Sequence, residues 1–278
     1  MVVRAPLRVA VAGLGAIGWP VVQELVAGAV PGATVRAVSA GNLQAAAVRL
    51  QDAFGSRAPS VVPLESLATD ADVIVECAPA SVFREVVEPA VLRGRHVVCV
   101  SAAGLLSHFD LVATAQQLGA QIIVPSGAIA GLDAIGAAAN APGGITSVRM
   151  VTRKPPAGLA GAPHLVSAGI DVEAITVPTC VFAGSVQEGA AGFPANVNVA
   201  AAVGLAGDMS KTRMEVWADP TVTRNTHTIV VDAPSARLEV TIENLPSQAN
   251  PRTGAIVAPS IVQALRRLAP ASALVVGT

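Results

Sequence analysis

An apolar run, Val9-Ala10-Val11-Ala12, leads straight into Gly13-Leu14-Gly15-Ala16-Ile17-Gly18 and then into a helical stretch over residues 19–28. No other feature of the chain narrows its fold so far. In a strand, G-x-G-x-x-G, helix sequence, Gly13 permits a tight turn, Gly15 lets backbone approach a pyrophosphate, and Gly18 lets the helix pack close on the strand. The first N–H groups of the helix lack partners within it and attract an anion. Gly13, Gly15, Ala16, Ile17 and Gly18 are therefore candidate dinucleotide contacts.

The alternation continues. Strands are expected over residues 34–39, 73–77, 96–100 and 121–124, with helices over 42–54, 81–92 and 107–118 between them. Continuous apolar strands separated by helices predict a parallel sheet covered on both faces, an α/β fold of the Rossmann type with a doubly wound sheet. Ser107 with Asp110 three residues later reads as a capping box, and Gly119 as the stop of that helix. After about residue 125 the pattern changes. Residues 211–218, 224–232 and 236–244 alternate polar and apolar side chains, as in Arg237, Glu239 and Thr241 against Leu238, Val240 and Ile242. Such alternation predicts a second, α+β domain on a mostly antiparallel open sheet with one wet face. A last helix, about 256–268, is expected to return to the first domain. The expected division is residues 1–125 plus a C-terminal segment of about 248–278, and residues 126–247.

With 278 residues the chain is long enough for two domains. Its 18 basic and 19 acidic residues leave a net charge of -1, with no basic patch for nucleic acid. The mean hydropathy of +0.59 comes mostly from Ala and Val. Gly, Pro or charge interrupts every long apolar stretch, so no membrane span is expected. The N-terminal apolar run reads as a folded strand rather than a signal peptide, which predicts a cytoplasmic protein. Cys77, Cys99 and Cys180 are widely spaced in apolar runs and read as reduced core thiols, with no metal pattern.

The segment after the second strand, Val38-Ser39-Ala40-Gly41-Asn42, holds no carboxylate to bind an adenosine ribose and none to repel a 2′-phosphate. NAD and NADP both stay open, with Ser39 and Asn42 as ribose candidates or, equally, as turn and N-cap residues. Cys77 ends a strand where ligands of such folds bind, beside Ala78. It could contact the cofactor or act as a thiol nucleophile, although that chemistry would place the cysteine in the second domain beside a base, and the junction there reads Pro125-Ser126-Gly127 with no cysteine. Of the four histidines, only His227 stands at a strand start beside a polar cluster, where it could carry a proton or simply close a hairpin. Arg153 and Lys154 could hold carboxylates or mark a solvated strand end.

Several segments in order resemble the L-aspartate dehydrogenase family: the Gly13 fingerprint, Val75-Glu76-Cys77-Ala78, Pro125-Ser126-Gly127-Ala128-Ile129, Thr152-Arg153-Lys154-Pro155-Pro156, Phe193-Pro194-Ala195-Asn196-Val197-Asn198-Val199-Ala200, Asp219-Pro220, Asn225-Thr226-His227 and Asn250-Pro251-Arg252-Thr253. The resemblance implies NAD(P)-dependent oxidation of L-aspartate to iminoaspartate, which hydrolyses to oxaloacetate and ammonia or feeds NAD biosynthesis. It makes His227 the acid/base group and adds Ala128 and Asn198 as cofactor contacts, with Arg153, Lys154 and Asn225 as substrate candidates. It also implies a homodimer through the open sheet, with residues 1–125 binding the dinucleotide and 126–247 serving catalysis and dimerisation. Ala130 departs from the family pattern, which has Gly there. Two other readings stay open at this point: a related dehydrogenase or imine reductase for another amino or keto acid, and a dinucleotide-binding regulator without turnover.

Overall fold

The computed structural model describes residues 5–194, 196–247, 253–270, 274 and 276. Ala195 and Asn250-Pro251-Arg252 lie outside the described residues. The chain forms two compact units, one running to Pro125 and resuming at Val257, the other spanning Ser126–Ile256.

The first unit runs β1 (Leu7–Ala12), α1 (Gly18–Val26), β2 (Ala33–Ser39), α2 (Leu43–Phe54), β3 (Ser60–Val61), β4 (Val73–Glu76), α3 (Phe83–Leu92), β5 (His96–Cys99), α4 (Gly104–Ser107), α5 (Asp110–Gln117) and β6 (Ile122–Ile123). Its six strands are parallel in the order β3-β2-β1-β4-β5-β6. Val9–Ala12 and Val73–Val75 are wholly or almost wholly buried, which is why these strands read as unbroken apolar runs. Strand order reverses between β1 and β4, so the adjoining strand ends are where a ligand of such a sheet binds.

Within this unit the Ser107–Asp110 capping box does not form. Ser107 ends α4, Phe109 is the N-cap of α5 without a side-chain bond, and Asp110 instead lies 3.1 Å from Arg84. Strand β3 escaped detection because two residues carry no pattern. The C-terminal helix, α10 in chain order (Val257–Leu268), buries Val257, Ile261, Val262 and Leu265 and packs on α1 and β5. Arg266 Nε donates to the Ala29 carbonyl just beyond α1 at 2.8 Å, a cation placed at the negative end of that helix.

In the second unit come α6 (Leu132–Asn140), β7 (Ser147–Lys154), α7 (Pro163–Ser167), β8 (Thr179–Ser185), α8 (Val186–Gly192), α9 (Val197–Ala206), β9 (Thr212–Ala218), β10 (Asn225–Ala233) and β11 (Ala236–Asn244). The five strands lie in the order β11-β10-β7-β9-β8, antiparallel except for β7 beside β9. The fold is thus a doubly wound Rossmann-type sheet followed by an α+β unit on a mostly antiparallel sheet. A capping box does occur here, with Ser185 and Glu188 at the start of α8, where Glu is long enough to reach back to the cap amide. Val148, Met150, Thr152 and Lys154 of β7 alternate onto the buried face, which α9 and α6 cover, while Arg149 and Arg153 point to the other. That other face is polar. Arg149 lies 3.6 Å from Glu215, Trp217 Nε1 donates to Glu215 at 2.8 Å, and Thr228 and Thr241 are hydrogen-bonded at 3.0 Å. Cys180, expected in a core, is exposed on β8; Cys99 is buried and Cys77 half-buried.

Candidate active site

The glycine turn is held by its neighbours. Gly13 N donates to Ser39 O at 2.8 Å and Cys77 N to Ala12 O at 2.9 Å, so the ends of β1, β2 and β4 meet around it. Gly13 has φ +94°, and a Cβ on it would stand 2.5 Å from the Cys77 carbonyl oxygen. A Cβ on Gly18 would collide with the Gly13 carbonyl, whereas one on Gly15 would meet nothing within 4 Å. Two glycines are therefore demanded by packing, and the third faces open space. This is the cradle a pyrophosphate needs, and the residues fit a dinucleotide.

Two neighbours, Glu76 and Arg49, brace that cradle. Glu76, fully buried, accepts from Ser101 N at 2.9 Å and Ser101 Oγ at 3.0 Å, tying the end of β4 to the turn after β5. Burial pushes its carboxyl up, against the opposing Ser101 hydrogen bonds. Arg49 lies 3.6 Å over the Trp19 ring and its Nη1 donates to Leu14 O at 3.1 Å, which ties α2 to the glycine loop. Ser39 is buried at the end of β2, and Asn42 is spent as the N-cap of α2, its Oδ1 accepting from Ala45 N at 2.9 Å. Burial, and after it the Glu76 charge, pushes the Cys77 thiol well up, which disfavours the thiolate a nucleophile needs. Its carbonyl packs against Gly13, beside Ala78.

In the second unit the register sets His227 of β10 opposite Thr152 of β7. Both are buried, and His227 Nδ1 lies 3.0 Å from Thr152 Oγ1. When Nδ1–H donates to the hydroxyl, the Nε2 lone pair is left to take a proton. Burial lowers the imidazole to about 4, and the charge of Lys154 adds to the effect. Lys154 stands two residues along β7 on the same buried face, so the pair presents a neutral base beside a cation. Arg153, its chain neighbour, is turned away by the two-residue period of the strand. It pairs with Asp219 at 3.0 Å and lies 4.4 Å over the Trp217 ring. Asp219 also accepts from Thr221 Oγ1 and N, which, Oγ1 first, hold its carboxyl below the usual range. Asn225 pairs with Asn244 at the same end of the sheet as His227.

The structure brings Ala128 to that end as well. Asn244 Nδ2 donates to the Ala128 carbonyl at 2.9 Å, pinning the Ser126–Ala128 turn. Ala130 causes no strain there, because the left-handed positions fall on Gly127 and Gly131, at φ +61° and +82°. Asn198 stands in the first turn of α9. Sequence reasoning did not single out Thr152, Asn244, Glu76, Arg49 or Asn196. Thr152, Glu76 and Asn196 lay inside segments of the family resemblance, whereas Asn244 and Arg49 carried no signal.

A depressed His227 has a consequence for stability. Between its ordinary 6.5 and about 4 the unfolded chain binds a proton that the folded chain refuses. Stability present above the upper value is therefore lost as pH falls through this window, by about 3 kcal/mol in all. Denaturant midpoints measured against pH should show this loss in the parent protein and a smaller one in His227→Gln; equal losses would contradict the assignment.

Fold and site together define a protein with a Rossmann-type dinucleotide cradle and, in its second unit, a buried neutral histidine. Comparison with known proteins narrows the class. Residues 13–125 match the model "Homoserine dehydrogenase, NAD binding domain" and residues 133–268 match "Aspartate dehydrogenase, C-terminal". An L-aspartate dehydrogenase of Bradyrhizobium diazoefficiens is 49% identical over 94% of this chain and 91% of its own. L-aspartate dehydrogenase 3 of Bordetella bronchiseptica is 46% identical over 95% and 96%. The crystal structure of aspartate dehydrogenase from Thermotoga maritima superposes with a TM-score of 0.73 at 25% identity, covering 98% of this chain and 99% of that one. The chain belongs to the L-aspartate dehydrogenase family.

Proposed function

We propose that the chain oxidises L-aspartate with NAD or NADP to iminoaspartate, which water converts to oxaloacetate and ammonia, and that the reaction runs in either direction. The observation that carries this reading is the neutral His227, paired with Thr152 and one strand step from Lys154, in a chain that also holds the glycine cradle. The bound nicotinamide supplies the hydride acceptor. His227 takes a proton from the substrate ammonium through Nε2, releases it to solvent, and then takes one from the water that attacks the imine carbon, returning it to the nitrogen that leaves as ammonia. Lys154 binds a substrate carboxylate. Neutralising the Lys154 charge in this way removes one of the two causes that depress His227, so substrate binding itself strengthens the base.

Arg153 serves as a buttress of Trp217 and Asp219 on the opposite face in this account, and Asn225 lines the site beside His227. Ala128 and Asn198 are cofactor contacts, with Ser39 near the ribose. The polar outer face of the second sheet is the surface we assign to a homodimer. The protein works in the cytoplasm; among the described residues no helix is long and apolar enough to cross a membrane.

Lys154→Met should raise the KM for aspartate about 10–100-fold, the value of one charge-assisted hydrogen bond, with dinucleotide affinity unchanged. Steady-state kinetics with separate titration of each substrate checks this. The reading as a whole is tested with a panel of acidic and neutral amino acids: preference for aspartate over glutamate and alanine supports it, and preference for a neutral amino acid overturns it.

A further inference from the structure

Asn196 carries a side-chain oxygen that nothing among the described residues satisfies. The residue is 7% exposed, and Oδ1 has no hydrogen-bond partner among them. Buried amide oxygens are nearly always paired with protein or ordered water, so an unpaired one calls for an explanation, and a bound ligand is one that completes the bond. This one is not slack. Asn196 N donates to Phe193 O at 2.8 Å, and the Phe193 ring is fully buried against His164 and Phe182, at 5.4 and 5.5 Å between centroids. Nor is the side chain used for capping, since Asn196 precedes α9 without a side-chain bond to its first turn.

The topology brings Asn196 to the end of the sheet already described. Helix α9 packs on β7 and β9 and enters β9 by a short turn, so it runs opposite to both strands. Its ten residues rise about 15 Å, which carries its start back toward the ends of β7 and β9, where Lys154 and Ala218 are paired. His227 lies opposite Thr152, two residues from Lys154, on the face that α9 covers. At that end Lys154 can only donate and repels a cation, while the Thr152 hydroxyl is engaged by His227 Nδ1. The His227 Nε2 lone pair accepts one hydrogen of an α-ammonium entering there, and Asn196 Oδ1 is the acceptor available for a second.

We infer that Asn196 recognises the amine of the substrate, Oδ1 accepting a hydrogen from the nitrogen that His227 deprotonates. The inference rests on the proposed amino-acid substrate and makes the site selective for amino dicarboxylates over dicarboxylates without nitrogen. Calorimetric titration of L-aspartate and of succinate into the protein saturated with NADH or NADPH tests it without turnover. Asn196→Leu should weaken aspartate about 10–100-fold and succinate less than about threefold, and Asn196→Asp, which keeps an acceptor, should hold aspartate within about threefold of the parent. Dinucleotide affinity, read from its fluorescence, should not change. Equal weakening of both ligands, or loss of dinucleotide affinity instead, overturns the assignment; Asn196→Ala gives the same comparison if the leucine prevents folding. A parent protein that fails to bind aspartate refutes the proposed substrate, whereas a parent that prefers aspartate and a leucine variant equally selective refute this inference alone.

Discussion

Replacing His227 by Ala is expected to lower aspartate turnover about 10²–10⁴-fold, the usual worth of a positioned general base, while dinucleotide affinity stays unchanged. The reasoning starts from the strand pair. Register places His227 against Thr152, burial keeps the imidazole neutral, and the hydroxyl at Nδ1 orients the ring so that Nε2 meets the substrate nitrogen. Ala removes the proton acceptor but leaves Lys154 in place, so kcat should fall far more than KM rises. The substitution also opens space in a buried position, and circular dichroism with a denaturant midpoint separates lost chemistry from lost fold. A variant that folds and turns over like the parent would remove His227 from the mechanism.

Gly13→Ala should be the most damaging change in the first unit. The added methyl would stand 2.5 Å from the Cys77 carbonyl oxygen while the backbone holds φ +94°. Left-handed strain and overpacking together cost about 2–5 kcal/mol, and the relief available is movement of the β4 end away from β1. That movement opens the cradle, so dinucleotide affinity should fall at least about tenfold, since one lost hydrogen bond to a charged phosphate already accounts for this much. Gly15→Ala is the control. Its Cβ meets no protein atom, so the fold should tolerate it and only dinucleotide binding should suffer. Fluorescence titration with NADH and thermal melts of both variants distinguish the two roles. A stable Gly13→Ala protein with parental affinity would contradict the account of the turn.

The parts of this fold that are legible in the sequence are those whose cause is local. The Gly13 turn, the apolar β1 and β4 and the alternating β11 each carry their reason within a dozen residues. Even the separation of Arg153 from Lys154 follows from a two-residue period once residues 147–154 are known to be a strand, a point lost when both were read together as carboxylate ligands. The rest depends on distant chain. His227 and Thr152 are 75 residues apart, and Asn244 and Ala128 are 116 apart. Ser107 closes α4 instead of capping α5, and Asp110, at the start of α5, pairs with Arg84 of another helix. Asn196 became visible only when burial showed its oxygen to be unpaired.

The central claim is most directly tested by following the absorbance of reduced nicotinamide on mixing the purified protein with L-aspartate and NAD or NADP. The account predicts reduction of at least one dinucleotide that depends on aspartate, with oxaloacetate and ammonia formed in equal amounts. Binding of the dinucleotide without any reduction by aspartate, and without oxidation of the reduced form by oxaloacetate and ammonium, would contradict it.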